Sequence, residues 1–142
     1  PGSACCTLIQ GRLHVGRALS PPLIKAVKRF AERDRLTIID GPPGTACPLT
    51  AALKGSDYVL LVAEPTPFGL HDLGLAVGGV RRLKIPFGVV VNRGTGGSTL
   101  LRDWCRQQGI EVLLEIPESR QMAEACARGR IAASENPERS LM

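Results

Sequence analysis

The sequence predicts an α/β protein with a doubly wound, mainly parallel sheet, and three observations predict it. Short aliphatic runs alternate with segments of helical period through short connections, the pattern of βαβ units. Hydrophobic residues make up 44% of the 142 residues but aromatics only 4%, so the core is aliphatic, as in strands buried on both faces that read as runs. The runs also stop abruptly: Leu36-Thr37-Ile38-Ile39 in Asp40, Val59 to Ala63 in Glu64-Pro65, and Val89-Val90-Val91 in Asn92. In an open parallel sheet such ends are where ligands sit.

Residues 1–10 have the composition of an irregular edge. Gly11-Arg12-Leu13-His14-Val15-Gly16 alternates polar with apolar and predicts a short strand, with His14 on its solvent side. Ser20-Pro21-Pro22 opens a helix, serine as cap and proline where no N–H is needed. Its stripe is Leu23, Ile24, Val27, Phe30 and Ala31, and it is expected to stop near Asp34. Leu36 to Asp40 then reads as a buried strand delivering one carboxylate to its end. Pro42, Pro43, Gly41 and Gly44 forbid both strand and helix beyond it.

Leu49 to Lys54 predicts a short helix ended by Gly55. Asp57 to Ala63 is the next buried strand, broken by Glu64-Pro65-Thr66-Pro67. A long helix follows from about Gly69 to Leu83, carrying Leu70, Leu73, Val77 and Val80, and Pro86 to Val91 is a third buried strand. After the turn Gly94 to Ser98, with Ser98 as cap, Leu100, Leu101, Trp104 and Cys105 mark a helix that Gly109 ends. Val112 to Ile116 is a strand, Pro117-Glu118-Ser119 starts the last helix, and residues 134–142 form a polar tail.

The formal charge is +5, yet the basic residues are scattered without aromatic interleaving, which argues against nucleic-acid binding. Five cysteines, Cys5, Cys6, Cys47, Cys105 and Cys126, are an odd number with no CxxC pair, pointing to a reducing, cytoplasmic setting. No apolar stretch reaches membrane length. Cys105 and Cys126 fall on apolar helix faces and are expected in the core.

Asp40-Gly41-Pro42-Pro43-Gly44-Thr45, Asp57 to Leu73 with its Glu64-Pro65-Thr66-Pro67 break, and Pro86 to Arg93 together resemble the MinD/ParA/Mrp superfamily of P-loop ATPases. The nearest branch is the MinD-like ATPases with an inserted ferredoxin domain. The similarity runs from about Gly11 to Ile131, and residues 11–133 read as the C-terminal part of such an ATPase domain. No GKGGxGKT-type phosphate loop (Walker A) occurs in this sequence. The resemblance therefore implies a three-layer sheet incomplete at its N-terminus, lacking the central strand that leads into that loop.

The resemblance implies ATP and Mg²⁺ as cofactors and an ATP-dependent homodimer switch linked to iron-sulfur or redox processes. By itself this chain is expected to hydrolyse no ATP, because the phosphate cradle is missing. Asp40 corresponds to the acid that holds Mg²⁺ through a water and assists hydrolysis; the bland alternative is a cap on the loop amides of Gly41 to Thr45. Pro43, Gly44 and Thr45 lie in the nucleotide-sensing loop, with the Gly44 N–H near a γ-phosphate; the bland alternative is a tight turn. Asn92 corresponds to the adenine-reading asparagine and Pro117 to a residue lining the base pocket, although asparagine beside glycine also makes turns.

Glu64, Thr66 and Asp72 correspond to the segment reaching the opposite protomer, with Asp72 alternatively capping its own helix. Cys47 matches a position that bridges an iron-sulfur cluster in one superfamily member; a packed thiol is the alternative, and one thiolate per protomer cannot complete four-fold ligation. Cys5 and Cys6 are either the edge of a cluster module or small hydrophobes. Two other readings stay open: a non-catalytic, degenerate scaffold that binds partners, and a cysteine-bridged iron-sulfur dimer.

Overall fold

The computed structural model describes residues 7–13, 20–32, 34–42, 47–94 and 99–130. Its elements run α1 (Ser20–Lys28), α2 (Cys47–Leu53), β1 (Val59–Ala63), α3 (Pro67–Leu83), β2 (Phe87–Gly94), α4 (Thr99–Gln107), β3 (Val112–Pro117) and α5 (Arg120–Ala127). The strands form one open parallel sheet in the order β1-β2-β3, the α/β class that the alternation of runs predicts. Every connection between consecutive strands carries a helix, as parallel pairing requires.

The chain divides into two compact units. One holds residues up to Leu61 together with His71–Phe87, the other Val62–Leu70 together with residues from Gly88 onward. In the first, Gly11 runs against α1 so closely that a Cβ there would lie 2.8 Å from Val27 and 2.9 Å from Leu23. Lys28, at the end of α1, donates its ammonium to the carbonyls of Ala51, Ala52 and Lys54. These are the orphan acceptors at the C-terminus of α2, where the helix dipole also favours a cation. Desolvation there lowers the Lys28 pKa below its usual value. Gly55, at φ 83, ends α2 as expected.

In the second unit the core is Val89, Val90, Val91, Leu101, Cys105, Ile110 and Ala125. β2 and β3 pair in parallel, Val91 opposite Glu115 and Asn92 opposite Ile116. α4 closes with the Gly109 N–H on the Arg106 carbonyl at 3.1 Å and the Ile110 N–H on the Cys105 carbonyl at 2.9 Å. That pair of bonds, with Gly109 at φ 64, is a Schellman ending. α5 ends the same way at Gly129, with the Arg130 N–H on the Ala125 carbonyl at 2.9 Å. A Cβ on Gly94 would meet the Glu115 side chain, whose carboxylate pairs with Arg102, so a larger residue there would have to displace that carboxylate.

Several expectations are corrected. Leu36 to Asp40 forms no strand, and Leu36 is 91% and Ile38 85% exposed. A strand exists only through its ladder, and no described strand pairs with this segment. β1 is not buried on both faces: its pattern alternates, Val59, Leu61 and Ala63 buried, Leu60 60% and Val62 63% exposed. An edge strand with one uncovered face produces that alternation from an all-apolar sequence.

α1 stops at Lys28 rather than near Asp34, because Arg29, Phe30 and Ala31 donate to residues three back, a tightened last turn. Cys126 is exposed, not core, whereas Cys105 is buried. Asn92 and Arg93 lie inside β2 rather than beyond it, and α5 begins after Ser119, whose hydroxyl accepts from the Met122 N–H. Residues 11–13 form no strand; residues 14–16, the Ser98 cap, Cys5, Cys6 and the 134–142 tail lie outside the described residues.

Candidate functional site at the C-terminal ends of the strands

Parallel strands point their C-terminal ends the same way, so the residues that follow them converge. In the second unit these are Glu64, Pro65 and Thr66 after β1, Asn92 and Arg93 late in β2, and Pro117 and Glu118 at the end of β3. Asn92 is half-buried and sits opposite Ile116, and Gly94 sits opposite Pro117. The asparagine amide and the proline ring thus lie on neighbouring strands one step apart. The Glu118 N–H donates to the Gly94 carbonyl at 3.2 Å, extending that pairing past the strand.

Thr66 caps α3: its hydroxyl accepts from the Gly69 N–H at 3.0 Å and its carbonyl from the Leu70 N–H at 2.9 Å. The Thr66 N–H in turn donates to the Glu64 carbonyl at 2.8 Å, drawing the chain back on itself. A Cβ at Gly69 would strike that same carbonyl, so the turn admits only glycine there. Glu64 pairs with Arg93 at 3.2 Å across the ends of β1 and β2. Glu64, Pro65, Thr66, Arg93 and Glu118 line a cleft of about 240 Å³.

The remaining candidates stand elsewhere. Asp40 is exposed where it follows Leu36 to Ile39, and a Cβ on Gly41 would meet nothing nearer than 3.9 Å. Pro43, Gly44 and Thr45 lie outside the described residues. Cys47 is an exposed free thiol at the first residue of α2. Among the described residues no group of three or more His, Cys, Asp or Glu side chains is placed to hold a metal, so Cys47 finds no companions there for a cluster. Asp72 lies beyond the first turn of α3 and does not cap it; Thr66 does.

Arg93 and Glu118 are the cleft residues that the sequence reading did not single out. Nothing in an Asn-Arg-Gly triplet distinguishes a turn from a strand that continues through it. Only the register against β3 does.

The sheet and its helices make an open parallel α/β fold. Among solved structures the fold is similar to that of the MinD cell division protein of Aquifex aeolicus, with a TM-score of 0.65 at 18% identity, covering 85% of this chain and 54% of that one. No protein-family model matches the chain. In sequence it is similar to two uncharacterized proteins of Methanocaldococcus jannaschii. It is 34% identical to MJ0579 over 88 residues, 61% of this chain and 33% of that protein. With MJ0578 it shares 42% identity over 67 residues, 46% of this chain and 24% of that protein. The chain thus spans a third or less of the curated relatives it matches.

Proposed function

We propose that this chain is the C-terminal portion of a MinD/Mrp-like nucleotide-binding ATPase, contributing the base-reading side of an adenine-nucleotide site. The observation that carries this reading is the MinD-like sheet, with Asn92 and Pro117 on adjacent strand ends. An amide presents a donor beside an acceptor, the complement of adenine's N6 and N7 edge. Asp40 would position Mg²⁺ through a water, and Pro43, Gly44 and Thr45 would sense the terminal phosphate. The phosphates themselves need a backbone cradle that this sequence does not contain, so no hydrolytic step is assigned to the chain alone. In the whole protein Glu64, Thr66 and Asp72 would face a second protomer in an ATP-dependent homodimer, and the setting is cytoplasmic. An iron-sulfur or redox connection, through Cys47 or an inserted ferredoxin domain, remains part of the proposal only through the family resemblance.

Amide NMR titration of the chain with adenosine and with Mg-ATP tests this. Saturable shifts at Asn92 and around Pro117 are expected at millimolar adenosine, lost in Asn92→Ala, with ATP turnover at background. Absence of any adenosine response there would remove the base-reading assignment. Micromolar ATP affinity would overturn the claim that the phosphate cradle lies outside this sequence.

A second reading, a non-catalytic module that binds a partner, is favoured by Leu60 and Val62 exposed on β1. Apolar residues gathered on one face of a sheet are the usual ground of protein contacts.

A further inference from the structure

We propose that the cleft at the ends of β1 and β2 is an oxyanion site read by Arg93, with Glu64 holding the guanidinium until a ligand displaces it. The register carries the first step. Asn92 faces Ile116 and Gly94 faces Pro117, with an irregularity between them, so Arg93 is the extra residue of a bulge. Bulges gather beside functional sites, where they turn a side chain away from the ladder. Arg93 also has φ 55, the left-handed region that costs a residue with a Cβ and is retained mainly where a site needs it. Glycine would sit there without strain.

The bulge aims the side chain into the cleft of about 240 Å³ already described. Its partner is weak: the Arg93 to Glu64 distance is 3.2 Å, and the two side chains are 64% and 45% exposed. Exposed pairs of this kind add little and are screened by salt. An incoming phosphate or carboxylate, by contrast, takes two parallel bonds from the guanidinium fork. Glu64 is therefore an internal competitor that a ligand can replace.

Thr66 places the N-terminal end of the 17-residue α3 at the same wall, and its dipole favours negative charge. Glu118 sets the opposite condition, because its carboxylate repels a bare anion and accepts from a hydroxyl or amine. The class that satisfies both is a small oxyanion carrying a hydroxyl or amine donor, as a phosphate monoester of a polyol or a hydroxy acid does. This assignment is independent of the adenine contacts of Asn92 and Pro117, but it gives Glu64 and Thr66 to the cleft in place of the protomer-facing role they have in the nucleotide reading.

Amide NMR titrations of the whole chain at fixed ionic strength, with glycerol 3-phosphate, lactate and inorganic phosphate as probes, test it. Saturable shifts at Thr66, Arg93 and Gly94 are expected with glycerol 3-phosphate or lactate, whichever anion source the cleft prefers, and weaker ones with inorganic phosphate. Arg93→Gly should weaken binding about tenfold or more, the scale of a charge-assisted bond pair, while the melting temperature holds or rises. Glu64→Gln should tighten binding several-fold by removing the competitor. The proposal is overturned if neither organic probe saturates, if Arg93→Gly binds as the unaltered chain does, or if Glu64→Gln binds less well.

Discussion

Cys105 shows how one buried atom sets a pH limit. Its thiol is fully enclosed on α4, and burial raises its pKa above the ordinary 9.0, since the thiolate loses its water. A folded-state pKa above the unfolded one means that this group's contribution is whole below about 9.0 and shrinks as pH climbs through the folded value. Thermal melts from neutral pH to beyond 9.0 should therefore fall on the alkaline side, and Cys105→Ala should flatten that part of the decline while costing about 1 kcal/mol at neutral pH. An equally steep decline in the alanine variant would move the cause to another group. The thiol's burial was legible from helical spacing. Arg93 was not, because its conformation depends on a strand twenty-odd positions away along the chain.

Among the elements, α2 is the one most plainly held by a single side chain. Seven residues make a marginal helix, and the Lys28 ammonium on three carbonyls at its end supplies what the helix cannot supply itself. Lys28→Met keeps the stem and removes the donors. A loss of about 1 kcal/mol is expected, seen as a lower urea midpoint with the slope unchanged. Element ends that rest on glycine were legible: Gly55 and Gly109 end their helices where the sequence puts them. The end of α3 at Leu83 was legible too, with Lys84 leaving it at φ 55; ends that rest on a change of hydrogen bonding were not. The early stop of α1 belongs with these, because its stripe runs on to Phe30 and Ala31 while its hydrogen bonds change type. Asn92 was found at the right strand but the wrong side of its end.

For the whole molecule, the parallel α/β class followed from composition and alternation, while exposure did not. Val-Leu-Leu-Val and Leu-Thr-Ile-Ile read as interior because an amino-acid string records what a residue prefers, not which neighbours it has. Leu36 to Ile39 consequently joins strong apolar character to backbone groups that no ladder protects. Limited proteolysis with thermolysin, which favours the amino side of bulky aliphatics, should cut first at Leu36 or Ile38, ahead of any bond in β2. First cleavage within β2 would show that the segment is sheltered in solution.

The open face of β1 reaches into handling as well. By mean hydropathy, +0.06, the protein looks unremarkable to a chromatographer, but a phenyl column senses only what stands outside. With Leu60 and Val62 turned outward, it should elute later than its bulk composition suggests, and detergents or mild alcohols, rather than salt, will be what keeps concentrated samples clear.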